Sequence, residues 1–405
     1  MESKYFIKTC ALIATEGSSL SDDFEISGGN PNITYYESVK SPSISVSIDF
    51  IDVDGVISRE GITGGEYLDL KIKVPDFDDF EITPDKHFMM LNSVKNVKTS
   101  SNKQIATLEF VSVEAIINET ARVSRRFTGN VSQIVKELMK DKKSIQTSKN
   151  LETDESFNKY SFVGNLKRPF DTIQWLCPKA ASTDKECGFL FYENLDGYFF
   201  KSIKGLLESD SSETYEKPEA PVDTDIKITE NNLDSSNDIG MNCRMGMYAN
   251  KTIYVDIENG KLETVDYKIS DLKLAKPPKL PAGLEDVPTR LMLRILDAGA
   301  LQKGSKKKEV EKKSELAVYQ NKSYARTNLL FSQSLSISTP FNPDLRVGQM
   351  IDVVLPVKEG SDQSQTTGGG ENDISGKYLL SELKHSIANG KSNSELKLIR
   401  DVFTA

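Results

Sequence analysis

The sequence predicts a mainly β protein with α+β insertions, in which two similar antiparallel β-barrel domains stand at the two ends of the chain. Three observations carry this. Segments of strict apolar–polar alternation cluster near both termini, helical periodicity is confined to the middle, and the last strands repeat the order of the first. At 405 residues the chain is too long for one ordinary core, so about two or three domains are expected.

The first barrel is expected over 1–118. "SISVSIDF" (43–50) places Ile44, Val46, Ile48 and Phe50 on one face of a half-buried strand. "VDG" (53–55) offers a tight turn, and "YLDLKIKVP" (67–75) repeats the alternation with Leu68, Leu70, Ile72 and Val74 inward. "FMMLNSVKNV" (88–97) and "QIATLEFVS" (104–112) read as a hairpin across "KTSSNK".

An inserted α+β domain is expected over 119–206. "TGNVSQIVKELMKDK" sets Val131, Ile134, Val135 and Leu138 at helical spacing, with Thr128 or Asn130 as cap. "GNLKRPFDTIQWLCPKA" (164–180) carries the only tryptophan. Pro169 suits a first helical position, and Asp171 favours the positive end of the helix dipole. Phe170, Ile173, Leu176 and Cys177 share a stripe with Trp175 at its flank. "GFLFYENLDGYFFKSI" (188–203) reads as a hairpin over Asp196-Gly197. The simplest arrangement is a helix lying on that hairpin with aromatics between; a buried Trp175 would then cost roughly 3–5 kcal/mol on truncation to alanine.

Residues 207–240, "ESDSSETYEKPEAPVDTD" and beyond, read as an acidic linker with one strand at "DIKIT", joining to the second barrel. An inserted hairpin and helix region is expected over 241–324. "TIYVDIENGKLETVDYKI" (252–269) turns at Asn259-Gly260, "KPPKLP" (276–281) breaks the chain, and a helix covers 314–330. "KGSKKKEVEKK" (303–313) is interrupted by Glu309 and Glu311 and lacks interleaved aromatics, so it reads as a solvated face rather than a phosphate-binding patch. The second barrel is expected over 325–405, where "SLSIS", "RVGQMIDVVLPV", "KYLLSELKHSI" and "SELKLIRDVF" alternate around a "TTGGGEND" loop.

The two ends can be aligned. Met90-Leu91 falls on Leu379-Leu380, Val94-Lys95 on Leu383-Lys384, Leu108 on Leu396 and Phe110 on Leu398; upstream, "YLDLKIKVP" resembles "MIDVVLP". Identities are few. The shared order of strand, strand, hairpin says more, and suggests two copies of one barrel separated by inserted material.

Little in the chain suggests chemistry. The net charge of −9 supplies no global basic field for nucleic acid or anionic lipid, and apolar runs are too short for a signal peptide core or a membrane span. Cys10, Cys177, Cys187 and Cys243 lack zinc spacing and read as reduced thiols of a protein folded in a cytoplasm. His87 and His385, both in predicted strands, have no acid or cysteine partner at a recognisable spacing and read as packing or surface groups. "GITGGE" (61–66) and "GGG" (368–370) are weak as phosphate loops. Asp49, Asp52, Asp54, Asp76, Asp78 and Asp79 crowd the N-terminal domain; paired acids could serve a glycosidase or hold a cation, but turn aspartates are the simpler reading. No catalytic, cofactor-binding or metal-binding residue is therefore nominated, and no enzyme is expected.

"LKRPFDTIQWLCPKA" followed by "GFLFYENLDGYFFKSI" resembles the baseplate hub subunit of contractile-tailed bacteriophages, a plan that recurs in type VI secretion spike proteins. "TGNVSQIVKELM", "NKTIYVDIENGKLETVDYKI" and "FNPDLRVGQMIDVVLPV" resemble it too. The resemblance implies two tail-tube-like barrels in one polypeptide, a homotrimer presenting six barrels in a ring, and a location in the virion tail baseplate after assembly in the host cytoplasm. Its implied partners are a spike protein, the tail tube or tube-initiator protein and the tape measure protein, with DNA passing unbound and no membrane insertion. The chain ends at Ala405 without needle repeats, so the spike is expected to be separate. Alternatives are the hub of a non-phage contractile injection system and a tail-associated cell-wall hydrolase.

Overall fold

A computed structural model describes the chain except residues 1–4, 30, 54, 76, 101–102, 218–226, 237, 257–259, 273–279, 281–283, 285, 296–312, 356–373 and 402–405. "TTGGGEND" and Asn259 of the Asn259-Gly260 turn lie outside the described residues, as do "KGSKKKEVEKK" save Lys313 and "KPPKLP" save Leu280. Of "DIKIT" Lys227 to Thr229 are described, Lys227 making an isolated bridge to Glu216, and the strand expected there begins only at Glu230.

In chain order the strands and helices begin with β1 (Phe6–Ile13), β2 (Phe24–Glu25), β3 (Asn32–Ser38), β4 (Ser45–Asp52), α1 (Val56–Glu60), β5 (Tyr67–Lys73), β6 (Phe80–Ile82), β7 (Met89–Ser100), β8 (Lys103–Ser112) and α2 (Val113–Thr120). Next come β9 (Arg126–Asn130), α3 (Val131–Lys140), β10 (Leu151–Thr153), β11 (Lys159–Val163), α4 (Pro169–Leu176), β12 (Phe189–Asn194), β13 (Gly197–Ser202) and α5 (Ile203–Glu208). β14 (Ser211–Glu216) and β15 (Glu230–Ser236) precede α6 (Ile239–Arg244), β16 (Ala249–Asp256), β17 (Lys261–Lys268), β18 (Arg290–Ile295) and α7 (Lys313–Leu330). The chain finishes with β19 (Gln333–Pro340), β20 (Met350–Val354), β21 (Gly376–Ala388) and β22 (Lys391–Arg400).

These elements divide into two compact units. The first comprises Met1–Ala115, Ser209–Asn232 and Leu335–Leu398; the second comprises Ile116–Glu208, Leu233–Ser334 and Ile399–Ala405. The protein is mainly β, as the alternation predicts.

The first unit is organised by one 14-stranded sheet. Its core is the inward half of each alternating strand: Val46, Ile48 and Phe50 of β4, Leu68, Leu70 and Ile72 of β5, and Leu108 and Phe110 of β8 are all buried. "VDG" does not close a hairpin. Gly55, at φ 66°, instead starts α1, and the Asp52 carboxylate accepts the N–H groups of Val56 and Ile57, both at 3.0 Å. Those are donors a helix start leaves over, so Asp52 is a buried cap and not a solvated turn residue.

The second unit holds three small sheets, β10-β13-β12, β11-β9 and β17-β16-β18. Helix α3 starts where its pattern places it, and the Gln133 side chain accepts the Asn130 N–H at 3.2 Å. Pro169 opens α4, whose first turn is fixed when the Asn118 side chain accepts the Phe170 N–H at 2.8 Å. That helix lies on the β12–β13 hairpin, with the Phe170 ring 5.7 Å from Phe191 and 6.0 Å from Tyr198. Of Asp196-Gly197 only Gly197 takes a positive φ, 138°, and a Cβ there would meet the Asn150 carbonyl oxygen at 2.5 Å.

Trp175 stands at the flank of the buried stripe, where its spacing places it. It is half-buried, packs edge-on against Phe162 at 5.2 Å, and lies between the ammonium groups of Lys179 (3.9 Å) and Lys167 (5.3 Å). Its position seven residues into α4 from Pro169 turns it away from the stripe that Phe170 and Ile173 bury.

Candidate assembly interface

Twelve of the fourteen strands of the first unit's sheet, all but β2 and β6, resolve into two sets of six. The first set, in chain order, is β1, β3, β4, β5, β7 and β8; its order across the sheet is β1-β5-β7-β8-β4-β3. The second set is β14, β15, β19, β20, β21 and β22, ordered β14-β20-β21-β22-β19-β15. Numbered within each set, both read first, fourth, fifth, sixth, third, second. The expected duplication is present in the topology.

Register repeats along with order. Tyr67 pairs with Met90 in the first set, and Met350 pairs with Leu379 in the second. This reproduces the sequence alignment of Met90 on Leu379 and of "YLDLKIKVP" on "MIDVVLP". One detail differs: β1 runs antiparallel to β5, whereas β14 runs parallel to β20. The second set is also interrupted. The segment joining β15 to β19 carries about a hundred residues of the second unit, where the first set uses the short link 39–44 between β3 and β4.

The two sets meet at a seam. β21 is long enough to serve two neighbours: Gly376 to Leu379 pair with β20, and Glu382 to Ile387 pair antiparallel with β3. Alternation sorts the seam into two faces. On the buried face Leu383 opposes Glu37, His385 opposes Tyr35 and Ile387 opposes Ile33. On the other face Lys384 opposes Tyr36 and Glu382 opposes Ser38. There the Tyr36 hydroxyl donates to Glu382 at 3.1 Å, and Lys384 pairs across to Glu395 of β22 at 3.1 Å.

Two polar groups stiffen the buried face. Glu37, fully buried, accepts the Val347 N–H at 3.0 Å and the hydroxyl of Tyr35. His385 is likewise fully buried; its ring stacks on Tyr35 (5.9 Å), meets Phe341 (4.6 Å) and Phe80 (5.7 Å), and places Nδ1 2.9 Å from the Ser394 hydroxyl. Burial first, then the nearby Arg346 charge, pushes its pKa down to about 3. A charged imidazole would be costly here, so the ring packs neutral.

The other singled-out residues are dispersed. His87 lies in the turn before β7 rather than in a strand, is buried, and accepts the Thr83 N–H at Nδ1 (3.0 Å). Asp49 accepts from Thr107 at 2.6 Å, Asp79 pairs with Lys8 at 2.6 Å, Asp78 is exposed, and Asp54 and Asp76 lie outside the described residues. The hydrogen bond from Lys8 holds the Asp79 carboxyl below its ordinary range. Among the described residues no three His, Cys, Asp or Glu side chains converge as a metal would need. No helix among them is long and apolar enough to cross a membrane. All four cysteines carry thiols; Cys10 and Cys177 are buried, and burial raises both to about 12.

No known sequence family matches the chain, and no curated protein matches it either. Its fold does have solved counterparts. The chain is similar to the tail protein from Neisseria meningitidis MC58 at 10% identity, with 99% of this chain and 98% of that one covered and a TM-score of 0.55. It is also similar to the 43 kDa tail protein of prophage MuSo2 from Shewanella oneidensis at 8% identity, covering 98% and 99%, with a TM-score of 0.51. The chain thus has the fold of phage tail proteins, along nearly its whole length.

Proposed function

We propose that this chain is a structural, non-enzymatic baseplate hub of a contractile phage tail. In this reading it is a homotrimer whose six barrel-type modules form a pseudo-sixfold ring, with the tail tube on one side and the central spike on the other. The ring leaves a passage for the tape measure protein and for DNA during ejection. The observation that carries the reading is the repeated six-strand order within one polypeptide. A chain that contains its own repeat turns three subunits into six near-equivalent faces, which is what a joint between a sixfold tube and a threefold spike requires. The fold shared with tail proteins supports the particle assignment. Assembly takes place in the host cytoplasm, in keeping with four thiols and no disulfide.

Light scattering after size exclusion tests the reading. A mass three times that of the chain is expected at micromolar protein, because obligate interfaces commonly bury about 2,000 Å² or more and stay associated there. A folded monomer at that concentration would sink it.

A further inference from the structure

The seam within the chain predicts a second one between chains. In the second strand set, β21 uses its first half for β20 and its last half for β3. Its counterpart β7 is built the same way. Tyr67 of β5 pairs at Met90, and the Leu91 carbonyl receives the Gly65 N–H at 3.0 Å. From Ser93 onward, among the described residues, β7 has β8 on one side and no strand on the other. The counterpart of β3 is β15, and β15 stands at the end of the sheet with β19 as its neighbour. The chain therefore holds one β3–β21 junction, made internally, and the two halves of a second one, left open.

We infer that the β7 edge of one copy pairs antiparallel with β15 of the next copy, repeating between chains the β3–β21 junction. The inference rests on the hub reading for ring closure. The pairing itself follows from the internal repeat, since equivalent edges meet equivalent partners.

Register can be transferred residue by residue. Lys95 stands where Lys384 stands, and Lys384 faces Tyr36. Tyr36 in turn lies opposite Ser45 of β4. "SVSI" of β4 corresponds to "SLSI" of β19, so Ser334 takes the place of Ser45. The Ser334 hydroxyl donates to the Asp234 carboxylate at 3.3 Å, which puts these two side chains on one face of the β15–β19 pair and sets Asp234 opposite Ser334. Lys95 of one copy is thereby placed opposite Asp234 of the next.

The exposed side chains of the two edges suit each other. Lys95 and Lys98 are exposed on β7, and Glu230 and Asp234 are exposed on β15. Lysines and a bulge, which β7 carries between Lys95 and Lys98, also serve to discourage random edge pairing. An acidic partner edge is what relieves such a basic one. Because one copy offers two different edges, the contact is head to tail, and it closes into a ring or runs on as a filament. The occupant is a second copy of this chain.

Disulfide trapping in the full-length protein tests the register. Directly opposed antiparallel residues have Cα atoms about 4.5–5.5 Å apart, within disulfide reach. The Lys95→Cys/Asp234→Cys double variant, oxidised with copper phenanthroline, is expected to run on a denaturing gel as covalent dimers and trimers. Neither single variant should do so. Light scattering before oxidation separates the two levels of the proposal. A trimer that does not cross-link, at this pair or with Val94→Cys in place of Lys95→Cys, overturns the edge pairing and leaves the hub reading standing. A folded monomer by circular dichroism overturns both. Should the cysteine variant fail to fold, charge reversal takes its place. Lys95→Glu or Asp234→Lys alone should weaken association about tenfold, and the two together should restore it. Additive losses in the double variant would overturn the pairing.

Discussion

Truncating Phe170 and truncating Trp175 should have unequal effects, although the two residues are five apart on one helix. Phe170 is 3% exposed, fits against Phe191 and Tyr198, and has its backbone held by Asn118. Removing a buried phenylalanine side chain costs about 3–5 kcal/mol, the transfer loss plus the cavity left behind. Trp175 is half-buried, and its contacts are Phe162 and two lysine ammonium groups. Exposed cation–π contacts contribute about 0.5–1 kcal/mol each, and partial burial adds a similar amount, so Trp175→Ala should cost roughly 1–2 kcal/mol. Urea unfolding followed by far-UV circular dichroism measures both variants. Tryptophan fluorescence adds a local probe for wild type and Phe170→Ala, because Trp175 is the only tryptophan and lies in the second unit. For a domain of 150–250 residues each kcal/mol moves Tm by about 2–4 °C, so Phe170→Ala should fall by roughly 10 °C. Equal losses for the two variants would refute the division of α4 into a core face and a solvent-side face.

Three further outcomes are expected. His385 stays neutral in the folded protein down to about pH 3, while the unfolded chain takes up the proton near pH 6.5. Stability should therefore fall as pH drops from 6.5 toward 3, by at most about 1.4 kcal/mol per pH unit from this group; His385→Gln should flatten that slope in paired urea titrations, and an unchanged slope would count against the buried neutral ring. Lys149 and Glu193 form a buried ion pair at 2.7 Å. Lys149→Met should cost about 3–5 kcal/mol by stranding the carboxylate, while Lys149→Met with Glu193→Leu should recover much of it; a double variant no more stable than the single would contradict this. Gly197→Ala should reduce soluble yield sharply, since both its φ and the Asn150 carbonyl exclude a Cβ, whereas Gly260→Ala, at φ 63° with no atom within 4 Å, should cost only about 1–2 kcal/mol.

Strands with one clean buried face were legible in the sequence. β4, β5, β8 and β22 alternate because one side meets the core and the other does not. β3 is harder to read. Its inward positions are Ile33, Tyr35 and Glu37, and a buried glutamate breaks the apolar pattern. Glu37 is tolerated because the Val347 N–H, 310 residues away, satisfies it, and no local reading can see such a partner. β14 was hidden by composition: "SSETYE" reads as acidic linker, since Tyr215 is its one fully buried side chain. The flank position of Trp175 is legible from its spacing on α4, but its half-burial against Phe162, Lys167 and Lys179 is not, because those three partners lie outside that helix.

The repeat was legible only as a shared order of strands, and its consequence lies in how copies assemble. Class averages of the purified protein viewed down its particle axis test that most directly. Six similar lobes around a central opening, from a particle three chains in mass, are expected. Three lobes without internal repetition, or a lone elongated chain, would contradict the claim that one polypeptide supplies two of six equivalent places.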